Sequence, residues 1–287
     1  MNRTPKNPSA SGLMSISDTE FSRFQKFVYS NFGINLTQEK RTLVVGRMQK
    51  YLRQNGFDTF TKYLDLIEKN PTPNALSELI NRISTNHTFF FRENDHFEYM
   101  KTTALPEIDK IMQRERSNDL RVWCAAAATG EEPYTLATVL KEYYGVNYGK
   151  LDAGLLATDI SVQALEAAQK GIYTAERLDK TPENIKKKYF KQLPDTTYQV
   201  TNELKKEVVY RRLNLMNDVF PFKKKFHIIF CRNVMIYFDK QTRDTLAKKL
   251  YDCTEPGGYL FIGHSETLGR DDSPYDYVQP AIYRKKS

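Results

Sequence analysis

Apolar positions at Phe21, Phe24, Phe27 and Val28 recur at helical spacing behind Ser17-Asp18-Thr19-Glu20, which carries helix-start chemistry, so the pattern predicts a first helix there. A second is expected over 38–54, with Val44, Met48, Tyr51 and Leu52 on its apolar face and Lys40, Arg47, Lys50 and Arg53 on a basic side. Further helices are expected at 59–68 and 75–84. Residues 16–84 therefore read as an all-helical domain, behind a tail at 1–15 whose Asn, Thr, Pro and Ser content predicts disorder.

From residue 120 the pattern changes. Strand-like runs at 120–124, 154–158, 207–213, 226–231 and 259–263 alternate with helical periods at 131–144, 161–170 and 240–253. That alternation predicts a mostly parallel sheet with helices on both faces, an α/β domain over 96–287. A last strand is expected over 277–284, where Pro280 requires a bulge or an edge position. An insertion at about 173–207 interrupts the alternation, with a charged helix at 183–189 and hairpin arms at 191–193 and 198–201 around Pro194-Asp195-Thr196-Thr197. Between the two domains, residues 85–95 place three consecutive phenylalanines, Phe89 to Phe91, among polar residues. Such a linker is expected to pack on the larger domain and deliver polar groups to a site.

The stretch with most chemical content is Val122-Trp123-Cys124-Ala125-Ala126-Ala127-Ala128-Thr129-Gly130-Glu131-Glu132-Pro133-Tyr134. It reads as a buried strand, a turn nearly free of side chains and an acidic helix start, the ligand-binding corner of an open α/β sheet. The turn lacks GxGxxG, and Glu131 and Glu132 would repel a phosphate, so a ligand with an amino group or positive centre suits it better. S-adenosylmethionine has both. The two glutamates also have a plainer reading, as the start of a helix. Asp159 falls about one βαβ unit later at a strand end, where it either grips ribose hydroxyls or caps the next helix. Asn214 and Asn233 also follow strand ends, and the convergence of three such residues favours a ligand site.

Composition narrows this picture. The net charge of +8 and pI near 9.1 call for an acidic partner: nucleic acid, an acidic protein surface or a carboxylate-bearing substrate. The basic helix side is accordingly either solvated or a docking surface. Three dispersed cysteines, no apolar signal core and no membrane-length run predict a reduced, cytoplasmic protein. His87 and His96 lack ligand partners at metal spacing, and no metal is expected. His264-Ser265-Glu266 brings three nucleophile-triad residue types together, but without a GxSxG elbow a loop role is expected.

Taken together, Thr85-Asn86-His87-Thr88-Phe89-Phe90-Phe91-Arg92-Glu93, Ala126-Ala127-Ala128-Thr129-Gly130-Glu131-Glu132-Pro133-Tyr134, Ala157-Thr158-Asp159-Ile160, Asn214-Leu215, Phe230-Cys231-Arg232-Asn233-Val234-Met235-Ile236-Tyr237-Phe238-Asp239 and Gly263-His264-Ser265-Glu266 resemble the CheR family, the chemotaxis receptor methyltransferases of bacteria. The resemblance runs over about residues 16 to 285. It implies a Rossmann-like S-adenosylmethionine-dependent methyltransferase domain with a small antiparallel β insertion, preceded by an all-helical N-terminal domain. It also implies a protein-glutamate O-methyltransferase acting on the cytoplasmic helices of chemoreceptors in chemotaxis adaptation, with S-adenosylhomocysteine as product. By position, Asn86, Thr88, Arg92, Glu132, Asp159, Asn214, Leu215, Arg232 and Asn233 resemble cofactor contacts, and Arg92 and Tyr237 resemble residues beside the transferring methyl.

Relatives that tether to a receptor's C-terminal peptide have a longer, glycine-rich hairpin than Leu193-Pro194-Asp195-Thr196-Thr197-Tyr198, so tethering is not expected here. A monomer is expected, docking through Lys40, Arg47, Lys50 and Arg53, without nucleic-acid binding or membrane insertion. A glutamate carboxylate is ionised at neutral pH and needs no general base, which fits the absence of a convincing nucleophile. Two rivals remain at this point: a nucleic-acid methyltransferase, favoured by pI and fold alone, and a cofactor-binding chemosensory adaptor without turnover.

Overall fold

The computed structural model describes residues 14–84, 87–269 and 273–286. The chain divides into two compact units. One takes in Asn35–Ser84 and the chain up to Asn31, the other Phe32–Ile34 and the chain from Thr85 onward.

The first unit is built on α1 (Asp18–Phe32), α2 (Arg41–Gln54), α3 (Phe60–Lys69) and α4 (Pro73–Ile83). Their starts have chemical causes. Ser17 and Glu20 exchange side-chain bonds to each other's backbone amides at 3.2 and 2.9 Å, while Thr59 and Thr72 accept from Lys62 N and Ala75 N. Phe21, Phe24, Val28, Val44, Met48, Leu52, Phe60, Leu64 and Leu79 are fully buried and make the core. The basic side of α2 is narrower than its sequence suggests. Lys50 and Arg53 are exposed, but Arg47 is half-buried and donates to the Ile83 carbonyl at 2.6 Å.

The second unit opens with α5 (Asp95–Tyr99), which runs through a π-helical turn (Met100–Ala104) into α6 (Leu105–Glu115). The sequence pattern announces no element there. The chain continues through β1 (Asp119–Cys124), α7 (Glu131–Tyr144), β2 (Asp152–Asp159), α8 (Val162–Lys170) and β3 (Ile172–Tyr173). Next come α9 (Glu183–Tyr189), β4 (Phe190–Gln192), β5 (Tyr198–Val200), α10 (Asn202–Lys205), β6 (Val208–Arg212) and β7 (Phe226–Phe230). The last elements are α11 (Lys240–Cys253), β8 (Thr254–Phe261), β9 (Asp276–Gln279) and β10 (Ile282–Arg284).

The main sheet has the order β6-β2-β1-β7-β8-β10-β9. Its first five strands are parallel, and β10 and β9 close it antiparallel. The single strand expected over 277–284 is thus two. Proline has no amide to give a ladder, and the chain turns at Pro280 and Ala281, where Ala281 takes a positive φ of 63°. β8 also begins earlier than expected and includes Gly257 and Gly258. A Cβ on Gly258 would meet the His227 carbonyl at 2.8 Å. The insertion is a small antiparallel sheet, β3-β5-β4, whose hairpin turns at Thr196 with φ 64° in place of a glycine. Phe90 lies edge-on between Tyr173 and Phe190, with ring centroids 4.9 and 5.0 Å away, which fixes the 87–94 segment against the insertion.

From β1 the chain builds outward to β2 and β6, then crosses to β7 and β8 on the other side. The order reverses between β1 and β7, and ligands of open sheets lie outside the strand carboxyl ends at such a point. Among the described residues, no helix is long and apolar enough to cross a membrane.

Two predictions follow from this packing. Gly130 has φ 99°, and a Cβ there would stand 2.7 Å from Ala168 Cβ and from Tyr173 Oη. Gly130→Ala is expected to cost about 2–4 kcal/mol, seen as a lower urea midpoint at unchanged slope. On α5, His96 is fully buried, and burial lowers its pKa to about 4. The unfolded chain then binds a proton that the native state refuses between pH 6.5 and 4. Stability should fall through that window by up to about 3 kcal/mol, and His96→Gln should flatten the fall in urea titrations run against pH.

Candidate functional site at the sheet's carboxyl edge

Five loops leave the carboxyl ends of the parallel strands. With the strand ends beside them they carry Ala125–Gly130 after β1, Asp159 at the last position of β2, Asn214 and Leu215 after β6, Arg232 and Asn233 after β7, and Gly263–Glu266 after β8. The centre is Arg232, whose side chain is 1% exposed. Its Nη2 donates to Glu93 Oε2 at 2.9 Å and to the Arg92 carbonyl at 2.6 Å, and its Nη1 donates to Glu132 Oε2 at 2.8 Å. The guanidinium lies over the rings of Phe97 and Phe230, 5.4 and 5.8 Å from their centroids. One cation thereby joins the linker, the start of α7 and the end of β7.

Charge in this trio does not cancel. With both carboxylates ionised, two negative groups share one guanidinium and a negative charge is left over. Burial pushes the Glu93 carboxyl up, but the charge and hydrogen bonds of Arg232 and the amide of Asn233 outweigh it and hold its pKa at about 2. Glu132 is the less compensated partner. Burial raises its pKa against the pull of Arg232, and among the described residues its Oε1 receives the Cys124 thiol at 3.2 Å. The opening of α7 therefore presents a buried carboxylate that gains from a nearby positive centre.

The two acidic residues at the start of α7 have separate duties. Glu131 is 1% exposed, accepts from Thr129 Oγ1 at 2.7 Å and pairs with Arg177 at 3.3 Å, so it serves the loop and insertion. Arg177 also donates to the Thr88 carbonyl, which ties Thr88 to the same wall. Asp159 Oδ2 accepts Ala128 N at 2.9 Å and its Oδ1 accepts Ser161 N at 2.8 Å, while Ser161 itself caps α8. Burial raises the Asp159 pKa, and the amides of Ser161, Ala128 and Ile160 oppose the rise. Asp159 thus holds the small-residue turn in place, with Ala128 at φ 45°.

Asn214 and Leu215 lie beyond β6. Asn214 Oδ1 accepts Met216 N at 3.0 Å, and buried Leu215 gives its carbonyl to Lys249 at 2.6 Å. Tyr237 is half-buried at the end of a helical turn (Met235–Tyr237). Arg92 donates to the His87 carbonyl at 2.8 Å and stands 3.8 Å from Glu93. The structure therefore brings Arg92, Glu132, Arg232 and Asn233 into one network, holds Asp159 at the adjoining turn, and places Thr88, Asn214, Leu215 and Tyr237 on the surrounding loops and linker. Asn86 lies outside the described residues.

Two carboxylates of this site, Glu93 and Glu266, have no site role assigned from sequence, although both lie in stretches that carry the resemblance. Glu93 holds Arg232. Glu266, buried in the loop after β8, accepts the amides of Gly263, Asn233 and Ile236 at 2.5, 2.9 and 3.1 Å and so supports Asn233 at φ 58°. The signals for Glu266 are its place past a strand end, where a loop role is expected, and its membership of the Gly263-His264-Ser265-Glu266 stretch. Glu93, His96 and His264 bring possible ligand atoms within 4.8 Å of one another, a spacing a metal ion could use. Both Glu93 oxygens already receive donors, however, and the positive charges beside them are Arg232 at 2.9 Å and Arg92 at 3.8 Å.

The comparisons agree with this geometry. Residues 86–283 match the family description "CheR methyltransferase, SAM binding domain", and residues 19–84 match "CheR methyltransferase, all-alpha domain". The chemotaxis protein methyltransferase of Borreliella burgdorferi is 45% identical over 272 residues, covering 95% of this chain and 96% of that protein. That of Escherichia coli is 36% identical over 273 residues, 94% and 92% of the two chains. S-adenosylmethionine is thus the cofactor, and the residues present fit it. The surplus negative charge suits its cationic groups, the turn after β1 has almost no side chains to obstruct it, and Asp159 stands at the neighbouring strand end. By these matches and by its fold, the chain belongs to the CheR methyltransferase family.

Proposed function

We propose that this methyltransferase esterifies glutamate side chains on the cytoplasmic helices of bacterial chemoreceptors, working in the cytoplasm as part of chemotaxis adaptation. The observation that carries the proposal is the Glu93–Arg232–Glu132 trio at the switch point of a CheR-family fold, with Arg92 on the adjacent linker. Bound S-adenosylmethionine supplies a methyl group made electrophilic by its sulfonium. A substrate glutamate carries its own nucleophilic electron pair at neutral pH, so no general base is required. The protein's part is to bind, align and exclude water.

In this reading Glu132 receives the ammonium of the cofactor and Asp159 its ribose hydroxyls. Asn86, Thr88, Asn214, Leu215, Arg232 and Asn233 complete the cofactor set. Arg92 contacts the cofactor and orients the incoming carboxylate by charge-assisted hydrogen bonds, and Tyr237 shapes the slot between the reactants. Receptor docking uses the outer face of α2, where Lys50 and Arg53 are the exposed cations. Arg47, bonded to the Ile83 carbonyl, contributes less than its place in the sequence implies.

Transfer from labelled S-adenosylmethionine to receptor-containing membranes should give label that mild base releases as methanol. Label that resists base, or that appears on added nucleic acid instead, would reject the ester reading. Arg92→Ala should lower kcat by about 100-fold and raise the cofactor Kd by less than about threefold. Near-normal turnover would remove Arg92 from alignment. Reversing charge at Lys50 and Arg53 together should raise the receptor KM by roughly tenfold and reduce its dependence on ionic strength, at constant cofactor affinity by calorimetry.

A further inference from the structure

Glu93 is bound from several sides. Its side chain is 14% exposed, and it accepts Arg232 Nη2 at 2.9 Å, Asn233 Nδ2 at 3.2 Å and the His264 amide at 3.2 Å. It sits in a turn where Phe91 and Glu93 both have positive φ, 58° and 56°, without being glycines. Such backbone persists only where tertiary bonds hold it. Here those bonds are Phe90 N to the Arg177 carbonyl, Phe91 N to Thr135 Oγ1, and Arg232 to both the Arg92 carbonyl and Glu93.

The two arms of one guanidinium are divided between two carboxylates. Nη1 goes to Glu132, and Nη2 is shared between Glu93 and the Arg92 carbonyl, so losing Glu93 frees one N–H of Nη2 while the carbonyl keeps the other. A guanidinium free of Glu93 would be able to present both arms to Glu132, the bidentate geometry that Arg and carboxylates favour. Glu132 would then be neutralised and its oxygens filled. With Glu93 in place, Glu132 keeps one oxygen whose partner among the described residues is the weakly donating Cys124 thiol.

We propose that Glu93 is a positioning residue that holds Arg232 half away from Glu132, leaving Glu132 with the negative charge that accepts the cofactor's ammonium. The inference rests on the reading above that Glu132 meets that ammonium. It adds a residue that does not itself touch the cofactor, and it assigns the surplus charge of the trio to a purpose.

The test is calorimetric, on the full chain, with S-adenosylhomocysteine and with its analogue in which hydrogen replaces the amino group. The native protein should prefer the amino form, and Glu132→Gln should abolish that preference. Glu93→Gln keeps the volume and an acceptor oxygen but removes the charge. It should weaken S-adenosylhomocysteine by roughly tenfold while changing the deamino analogue by less than about twofold. Glu93→Asp, which restores the charge, should recover part of the preference. In turnover, Glu93→Gln should raise the KM for S-adenosylmethionine with kcat changed by less than about threefold.

If Glu93→Gln weakens both ligands equally, or leaves both unchanged, while Glu132→Gln abolishes the preference, the positioning role is rejected and the reading of Glu132 stands. If Glu132→Gln leaves the preference intact, the ammonium lies elsewhere and both fall.

Discussion

The site depends on one buried guanidinium. Taking Arg232 out of water is costly, and the cost is offset only because two carboxylates and a backbone carbonyl receive its N–H groups and two aromatic faces lie against it. Its partners come from residues 92–93 and 132, so a single side chain ties together segments separated by up to 140 positions. Removing either carboxylate would leave charge behind in the interior, and losses of that kind commonly reach about 3–5 kcal/mol. The trio thus supports local architecture and the charge of the site at once, and its members answer to both demands.

The surrounding loops show the same economy. Phe91, Glu93, Ala128 and Asn233 all take positive φ without being glycines, and all lie on the segments that converge on Arg232 or Asp159. Backbone of this kind is unfavourable by itself, of order 1–3 kcal/mol per residue. Each position has a nearby anchor: Thr135 for Phe91, Arg232 for Glu93, Asp159 for Ala128 and Glu266 for Asn233. Two of these anchors, Asp159 and Glu266, are carboxylates that accept backbone N–H groups, and a third, Arg232, is a buried cation that donates to the Arg92 carbonyl and the Glu93 carboxylate. The acidic residues of the site therefore act largely on the protein's own chain, leaving Glu132 as the carboxylate with the weakest set of partners.

Much of this was legible from sequence because it is local. The helices at 131–144, 183–189 and 240–253 and the parallel strands follow from periodicity, small-residue turns and capping side chains such as Asp239, which accepts Thr242 N. What stayed illegible is long-range. Nothing near Glu93 in the chain shows that it meets Arg232, and nothing near Glu266 shows that it will hold Asn233 thirty-three positions away. The run from α5 through α6 was missed because a π-helical turn breaks the 3.6-residue period in its middle. Pro280, which within a single strand requires a bulge or an edge position, marks the turn between two strands.

Charge counted along the chain also proved a poor guide to charge at the site. The protein carries a net +8, yet the carboxyl edge of its sheet holds a surplus negative charge. The difference is one of placement. Cations such as Lys50 and Arg53 stand on exposed surface, where salt screens them. Glu93 and Glu132 face a nearly dry interior, where each charge acts at short range and must be matched. A single net charge therefore describes two different tasks. The exposed excess bears on what the protein meets, while the buried deficit bears on which ligand can stay.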